Sequence, residues 1–382
     1  MRYRLEELFD LQMGKTPARA NLDYWNGTNK WVSISDLSGY DKYVADTKEC
    51  ISDLGVSESG IKVVPKNTVI MSFKLSIGKT AITTEDVYTN EAIMAFIDKG
   101  VCEINTDYLY YLFSGTDWNK GTNKAVLGLT LNKATLSKKE IDIPDLHTQN
   151  EVVKKLDALS NVIQLQKLSL DKLDELIKSR FLEMFGDCKS NPYCFEKKKL
   201  KDTCVIITGN TPSRAKADYY GDYIEWIKSD NIMTDRLYPT QATEYLSVKG
   251  MNVGRFVDKD SILMSCIAGS LSSIGRVCIT DRKVAFNQQI NALSPKEYNV
   301  FFLYVMLLLS KDYLVEEINM ALKGILSKSG LGDKEYILPP IDLQKQFADF
   351  VTQVEKQKAT VQQSIDKLET LKKSLMQEYF KF

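Results

Sequence analysis

The segment Gly14-Lys15-Thr16-Pro17-Ala18-Arg19 returns later in the chain as Gly209-Asn210-Thr211-Pro212-Ser213-Arg214, 195 residues downstream. Glycine, threonine, proline and arginine keep the same positions in both copies. Trp31, which follows the first copy, matches Trp226 at the same separation. A pattern that repeats once at about half the chain length predicts two similar domains.

The repeat extends well beyond this motif. Glycine, asparagine, proline and glutamine landmarks recur in the same order at separations of 195 or 197 residues, while most other positions differ. A shared scaffold with divergent surfaces suits a protein that contacts two similar targets. An old duplication without functional pairing is the alternative. The matching pairs are Gly78 and Gly275, Asn90 and Asn287, Pro144 and Pro339, and Gln149 and Gln344.

Two segments without glycine or proline follow the last landmarks, 150–185 and 345–382. Their apolar residues recur at alternating steps of three and four, which is typical of a coiled-coil stripe. We expect two helices of about 50 Å each, packed against each other in antiparallel orientation. Partner chains that share the stripe are the alternative, so its residues are also partner-binding candidates: Leu156, Leu159, Ile163, Leu170, Leu173, Ile177, Val351, Val354, Val361, Ile365, Leu368 and Leu375.

The length of 382 residues suits two domains of roughly 150 residues plus these helices. We divide the chain into a first domain (1–149), a central helix (150–185), a second domain (186–344) and a C-terminal helix (345–382). The predicted fold class is α+β, with two similar mixed α/β domains and an antiparallel coiled coil in a pseudo-two-fold arrangement. The predicted strands are 30–37, 68–84 with a bend at Gly78, 92–97, 261–280 and 290–293, and the short helices are 108–114 and 300–310.

Charge and cysteine content restrict the function. The chain has 50 basic and 50 acidic residues, with a net charge of −3 over 1–149 and +1 over 186–344. Neither domain has the basic excess expected of a protein that binds DNA on its own. The charge is still compatible with a protein that recognises DNA together with a partner, if the partner supplies much of the phosphate contact. Seven cysteines without a Cys-x-x-Cys pair, and no secretory signal, predict reduced thiols in a cytoplasmic protein.

No motif indicates catalysis. The chain has one histidine, His147, so a histidine-based metal site or a catalytic triad is not expected. Gly-Lys-Thr occurs at 14–16 and 78–80, but the earlier glycine that a phosphate loop requires is missing from both. We therefore predict a protein that binds rather than one that catalyses, without a metal or cofactor of its own.

The polar residues around the paired landmarks are the candidates for nucleic-acid contact. Arginine, lysine, asparagine and glutamine suit base edges in a major groove, whereas serine, threonine and loop amides suit phosphates. Each of them alone is more often a turn former or a solvated loop residue, and only their paired occurrence favours a function. The candidates are Lys15, Thr16, Arg19, Ser33, Ser35, Lys74, Ser76, Lys79, Asn90 and Glu91 in the first copy, and Asn210, Thr211, Arg214, Lys228, Asp230, Asn231, Ser270, Ser272, Arg276, Asn287, Gln288 and Gln289 in the second.

These features together resemble the specificity (S) subunit of type I restriction-modification systems. The matching elements are Gly-x-Thr-Pro-x-Arg near each domain start, the tryptophan strand, the Pro-x-x-x-x-Gln landmark and the long helix after it. They recur in order over essentially the whole chain.

The resemblance implies a DNA-recognition role. Each domain would read one half of a bipartite double-stranded site, and the helices would set the spacing and bind two modification subunits. Those subunits would carry S-adenosylmethionine and methylate adenine, and restriction subunits would join them. The specificity subunit would have no catalytic role. A protein–protein scaffold with two adaptor domains on a coiled coil is the competing interpretation, which the neutral charge favours.

Overall fold

A computed structural model describes residues 1–74, 76–118, 131–234, 236–267, 270–316 and 324–380. The chain forms two compact units. One unit contains Met1–Gln166 and Ser364–Phe382, and the other contains Lys167–Gln363. Each unit therefore holds one globular domain together with a part of both long helices. Within the described residues no helix is both long enough and apolar enough to cross a membrane.

The first domain is built on short antiparallel sheets. Its strands pair in the orders β2-β8-β5-β6, β4-β3-β7 and β1-β9, and the β3–β7 pair is parallel. The elements are β1 Arg2–Arg4, α1 Leu5–Leu8, β2 Phe9–Met13, a 3₁₀ turn Leu22–Tyr24, β3 Trp25–Val32, α2 Ile34–Leu37, β4 Glu49–Ile51, α3 Asp53–Ser59, β5 Val69–Ser72, β6 Thr80–Ile82, β7 Tyr88–Thr89, β8 Ile93–Asp98, α4 Thr106–Gly115, α5 Lys133–Ser137, β9 Glu140–Asp142 and the long helix α6 Leu146–Phe185.

The second domain repeats this topology. Its strands pair in the orders β11-β19-β16-β17, β12-β14-β13-β18-β15 and β10-β20, with a parallel β13–β18 pair. The elements are β10 Lys197–Lys199, α7 Leu200–Thr203, β11 Cys204–Thr208, 3₁₀ turns Ala217–Tyr219, Ser229–Asn231 and Leu271–Ser273, β12 Tyr220–Gly221, β13 Ile224–Ile227, β14 Tyr245–Leu246, α8 Val248–Val253, β15 Phe256–Val257, β16 Ile262–Ser265, β17 Val277–Ile279, β18 Val284–Phe286, β19 Ile290–Pro295, α9 Val300–Leu309, α10 Lys311–Val315, α11 Lys328–Asp333, β20 Glu335–Ile337 and the long helix α12 Ile341–Tyr379.

Aromatic side chains fill the core of the first unit. Phe96 packs against Phe113 with ring centroids 4.6 Å apart and against Phe9 at 5.9 Å, in edge-to-face geometry. All three are almost fully buried. Burial of one such ring contributes roughly 1.5–3 kcal/mol, and the edge-to-face arrangement adds to it because the ring quadrupoles attract.

The second unit has an aromatic core that extends onto both long helices. Phe181 of α6 lies 5.5 Å from Phe302 of α9 and 5.4 Å from Phe347 of α12, measured between ring centroids. Phe185 joins the same cluster, and all four rings are buried. The second domain is therefore held to the helix segments of its own unit by apolar packing.

The long helices pair in antiparallel orientation within each unit. In the first unit Gln166 donates from Nε2 to the Ser364 hydroxyl at 2.9 Å, and the Lys155 ammonium lies over the Tyr379 ring. Residues later in α12 therefore contact residues earlier in α6. In the second unit Lys358 of α12 bonds Asp174 of α6 at 2.7 Å. Phe347, which is earlier in α12 than Lys358, contacts Phe181, which is later in α6 than Asp174. The predicted antiparallel pairing is confirmed within each unit.

The stripe residues are buried or half-buried inside this pairing. Leu156, Ile163, Ile177, Val351, Val354 and Ile365 are buried, and Leu159, Leu170, Leu173, Val361, Leu368 and Leu375 are half-buried. Their apolar surface is thus used within the chain, as the packing interpretation expected.

The proline–glutamine landmark has a structural explanation in the first domain. Gln149 is fully buried, and its Oε1 accepts from the Asn105 backbone N–H at 2.8 Å. Its Nε2 donates to the carbonyl oxygens of Pro144 at 2.9 Å and Glu103 at 3.0 Å. Glutamine suits this position because it offers both a donor and an acceptor. It ties the first turn of α6 to the start of α4.

The second domain repeats the contact with the corresponding glutamine. Gln344 is also fully buried, accepts from the Asn299 backbone N–H at 2.8 Å and donates to the Pro339 carbonyl oxygen at 2.8 Å. The first turn of α12 is therefore joined to the start of α9 as α6 is joined to α4.

Several predicted boundaries were wrong. The strand expected over 30–37 ends at Val32, because the Ser33 hydroxyl accepts from the Asp36 backbone N–H and starts α2. The long helices begin at Leu146 and Ile341, before the glutamine rather than after it. Regions 68–84 and 261–280 are each two strands with a loop between them.

Candidate nucleic-acid interface

The Gly-x-Thr-Pro segment of each domain packs on the turn before the last core strand. The Gly14 N–H donates to the Ile93 carbonyl oxygen at 3.1 Å. A β-carbon at Gly14 would overlap the carbonyl oxygen of Thr89, and one at Gly209 would overlap that of Asn287. Glycine is therefore required at both positions by the close approach of two backbones.

The paired tryptophans hold these segments through hydrogen bonds from their indole nitrogens. The Trp31 indole N–H donates to the Lys15 carbonyl oxygen at 3.1 Å, and that of Trp226 donates to the Asn210 carbonyl oxygen at 3.3 Å. Both rings are buried, at 2% and 3% exposure. They are core anchors and present no face on which a base could stack.

Arg19 is held in an ion pair and an aromatic stack. Its guanidinium lies 3.9 Å from the centroid of the Trp25 ring and binds the Glu49 carboxylate with both of its terminal nitrogens. The hydrogen bond to Glu49 raises the pKa of Arg19 above its usual value. The planar guanidinium suits such bidentate and stacked contacts.

Arg214 makes the corresponding contacts in the second domain. Its guanidinium lies 4.5 Å from the centroid of the Tyr220 ring and forms an ion pair with the Glu244 carboxylate, with a nitrogen–oxygen distance of 2.7 Å. Lys228 also bonds Glu244, and this hydrogen bond is the main cause of the lowered pKa of Glu244. We call each set of contacts the arginine clamp of its domain.

Sequence reasoning missed the acidic members of both clamps. Glu49 and Glu244 are 195 residues apart, so the repeat spacing was the signal that could have found them.

Two further candidates attach the loop to a neighbouring helix end. The Lys15 ammonium donates to the Ser59 carbonyl oxygen, and the Asn210 amide donates to the Val253 carbonyl oxygen at 2.9 Å.

Other candidates stabilise the local turns. Ser33 caps α2, and Asn231 accepts from the Lys228 backbone N–H at 3.0 Å. Asn90 accepts from the Ala92 N–H at 3.0 Å, and Asn287 accepts from the Gln289 N–H at 3.1 Å. The Gln289 side chain in turn accepts from the Ser229 hydroxyl and the Asn287 amide. These side chains stabilise the turns from which other groups project.

The two domains carry different side chains at the position after Asn90 and Asn287. The Thr16 hydroxyl donates to Glu91, and the Thr211 hydroxyl donates to Gln288 in the same arrangement. The hydrogen bond from Thr16 lowers the pKa of Glu91 and keeps it ionised. Glu91 and Gln288 are both exposed. A carboxylate only accepts hydrogen bonds, whereas an amide both donates and accepts, so the two domains present different chemistry at one position.

The remaining candidates lie on exposed loops. Ser35 receives a hydrogen bond from Lys48 at 2.9 Å, and Lys74 is half-buried over the Phe73 ring. Seven residues separate β5 from β6 and eleven separate β16 from β17, so the second loop is longer. The exposed members are Ser76 and Lys79 in the first domain and Asp230, Ser270 and Ser272 in the second, while Arg276 is half-buried.

One ion pair next to the tryptophan strand has opposite polarity in the two domains. Lys30 bonds Glu85 at 2.8 Å in the first domain, and Glu225 bonds Arg282 at 2.6 Å in the second. The Arg282 hydrogen bond lowers the pKa of Glu225. The ion pair is present in both domains although its charges are exchanged. We therefore assign it a structural role.

The part of the chain that the structure describes holds no cluster of three or more metal-ligating side chains.

Comparison with protein families gives two matches along the chain. The model of the type I restriction modification DNA specificity domain matches residues 1–175 and 192–370. The specificity subunit of type I restriction enzyme MjaIX from Methanocaldococcus jannaschii is 22% identical over 374 residues, which are 91% of this chain and 85% of that protein. The specificity subunit of type I restriction enzyme HindI from Haemophilus influenzae is 38% identical over 119 residues, which are 30% of this chain and 25% of that protein.

Solved structures share the fold. A chain from a study of complex assembly and conformational transition of the type I R-M system aligns with 100% of this chain and 97% of its own length, with a TM-score of 0.61 and 17% identity. The S subunit of a type I restriction-modification system from M. genitalium aligns with 98% of this chain and 94% of its own length, with a TM-score of 0.54 and 13% identity.

Proposed function

The chain belongs to the type I restriction-modification DNA specificity family, and from this premise we propose that each domain reads one half of a bipartite DNA site. One observation carries the two-half proposal. Both domains hold their loops with the same clamp, tryptophan and glutamine contacts, yet Glu91 and Gln288 present different groups at equivalent positions. A duplicated scaffold with divergent exposed groups suits two half-sites of different sequence. The protein–protein scaffold interpretation is not favoured by the family match.

We divide the candidate residues into scaffold and readers. The side chains committed to contacts within their own domain hold the loops: Lys15, Thr16, Arg19, Ser33, Asn90, Asn210, Thr211, Arg214, Lys228, Asn231, Asn287 and Gln289. The other ten candidates are exposed or half-buried, and we call them the readers, whether they contact a base or a phosphate: Ser35, Lys74, Ser76, Lys79, Glu91, Asp230, Ser270, Ser272, Arg276 and Gln288.

The chemistry of Glu91 and Gln288 indicates what each can read. A glutamate accepts from the amino group of cytosine, and a glutamine makes a bidentate contact with adenine; such contacts discriminate by roughly 1–3 kcal/mol each. Hydrogen bonds from Thr16 and Thr211 hold these two exposed side chains in place, which lowers the entropy lost when they bind a base.

The long helices are proposed to set the spacing of the half-sites and to dock two modification subunits. The stripe residues are used inside the helix pair, so docking falls on other side chains. In each unit α6 leaves large apolar residues exposed: Val162 and Leu165 in the first, and Leu168, Leu176 and Leu182 in the second. Exposed apolar side chains of this size suit a protein interface.

The chain itself is proposed to be non-catalytic. The modification subunits would bind S-adenosylmethionine and methylate adenine, and restriction subunits would complete a cytoplasmic complex. This chain would supply the sequence choice alone.

Mapping methylated adenines in cells with and without this gene tests the proposal. We expect deletion to abolish methylation at one bipartite motif, and reintroduction of the gene to restore it. Western blotting for the modification subunit controls for its expression. An unchanged methylation map in cells that express that subunit would refute the proposed function.

A further inference from the structure

Arg276 follows the Gly275 turn in the second domain and has an unsatisfied donor. Its Nε atom is buried and has no hydrogen-bond partner in the described part of the chain. The backbone around it is fixed, because the Ser265 N–H donates to the Arg276 carbonyl oxygen at 2.9 Å and the Gly275 N–H donates to that of Ser265 at 2.8 Å. A buried guanidinium nitrogen without a partner is costly, so a ligand that accepts from it is favoured.

A second cation lies across the same turn. The Lys311 Cγ atom lies 3.5 Å from the place that a β-carbon at Gly275 would occupy, and its ammonium donates to the Ser272 carbonyl oxygen at 2.6 Å. Burial, and next the positive charge of Arg276, lower the pKa of Lys311. The two cations therefore repel each other, and Asp312 offsets this only in part.

Hydroxyl groups complete the surroundings. Ser270 lies 2.9 Å from Ser272 and 3.1 Å from Ser273, measured between their Oγ atoms. Hydroxyls bonded to one another can rotate to donate to an incoming anion. Serine, arginine and lysine are side chains that commonly bind phosphate oxygens.

We infer that Arg276, Lys311 and this serine loop form an anion site that takes one phosphodiester of the DNA backbone. A full negative charge relieves the repulsion between the two cations, whereas a neutral base edge does not. The inference rests on the proposed function and assigns Arg276 to the backbone rather than to a base. Lys311 was not among the candidates from sequence.

Within the described ranges, this pair of cations is found in the second domain and not in the first. Lys79 follows Gly78 as Arg276 follows Gly275, so the first cation has a counterpart. Counted from the helix caps Asn105 and Asn299, however, the position of Lys311 corresponds to Asp117. An acid in place of the second cation disfavours an anion there.

The test uses this chain in complex with its modification subunits and a duplex that contains the mapped site. Affinity is measured by fluorescence anisotropy over a range of salt concentrations for the parent, for R276Q/K311Q and for K259Q. Lys259 is an exposed lysine before β16, whereas the serine loop follows β16, so it controls for charge loss alone. We expect the double variant to reduce the slope of log affinity against log salt by about 0.9, with K259Q like the parent.

Methylphosphonate linkages identify the phosphate. A single neutral linkage, scanned along the second half-site, is expected to weaken parent binding roughly tenfold at one position, because it removes a hydrogen-bonded charge, and to leave binding of the double variant unchanged there. The methylated motif of the double variant is expected to stay unchanged, and R276K/K311R, which keeps both positive charges, is expected to retain the slope of the parent. If the site bound a free anion and not a DNA phosphate, the double variant would lose affinity at the same neutral linkage as the parent, which would overturn the inference.

The outcomes separate the two proposals. Suppose that the parent complex binds its site and that the double variant keeps the parent slope and the parent sensitivity to methylphosphonate. This result overturns the anion site and leaves the proposed function intact. A folded parent complex without any sequence preference refutes the proposed function, and this inference with it. Circular dichroism of each variant excludes unfolding as the cause of a reduced slope.

Discussion

Substitution R19K tests whether the arginine clamp holds the loop or reads a base. Lysine keeps the positive charge but loses the planar stack on Trp25 and one of the two bonds to Glu49. The side chains of Arg19 and Glu49 are 52% and 41% exposed, so the ion pair contributes about 0.2–1 kcal/mol. The exposed stack adds about 0.5–1 kcal/mol. We expect R19K to lower the free energy of unfolding by roughly 1 kcal/mol.

The functional effect follows from the position of the clamp. Arg19 lies three residues after Thr16, which orients Glu91, so a looser loop is expected to slow methylation without changing the motif. Urea denaturation measures stability, and mapping of methylated adenines measures the motif. R2K is the matched control, because Arg2 on β1 pairs with Glu140 at 2.8 Å and stacks on none of the aromatic rings that the structure describes.

Two results would refute this reasoning. A changed base preference in one half-site of R19K would mean that Arg19 reads DNA directly. An equal loss of methylation rate in R2K would mean that any weakened surface ion pair has the same effect.

Three further predictions concern stability, pH and docking. Q149L removes the three hydrogen bonds that the buried Gln149 side chain makes to backbone groups and is expected to lower the free energy of unfolding by about 3 kcal/mol, with a lower urea midpoint; a parent-like midpoint would contradict this. Arg282 lowers the pKa of Glu225 below its ordinary value of 4.5, so the stability from this pair is present above pH 4.5 and is lost as pH falls through the folded value. Urea midpoints from pH 3 to 7 are expected to fall less steeply at low pH in E225Q, and a profile as steep as that of the parent would refute it. L165D is expected to reduce co-purification of the modification subunit with stability changed by less than about 0.5 kcal/mol, because Leu165 is 65% exposed. I163D, at the buried stripe, is the contrast and is expected to unfold the helix pair; retained docking in L165D would refute this surface.

Local patterns predicted the scaffold well. The repeat predicted two similar domains because glycine at 14 and 209 is required by a backbone contact, and such positions tolerate little change. The apolar spacing of 150–185 predicted the helix because a coiled-coil stripe imposes its own period. The strand over 30–37 was predicted wrongly, because the apolar alternation continues past the point where the Ser33 hydroxyl caps a helix.

The roles of individual site residues were less accessible from sequence. Arg19 is a good base reader by residue type, and only its contact with Glu49, thirty residues away, shows that its guanidinium is occupied. Lys311 gave no signal, because it meets the Gly275 turn through the fold and its repeat counterpart is an acid. Long-range contacts of this kind depend on three-dimensional packing, which local patterns do not encode.

The central claim is that each domain reads its own half-site. Methylation maps from cells that carry E91A or Q288A in this gene test it most directly, with the parent gene as reference. The account predicts that E91A changes the bases accepted in one half of the bipartite motif and that Q288A changes those in the other half, with the spacing unchanged in both. Identical changes from both variants, or a motif unaltered by either, would contradict the account.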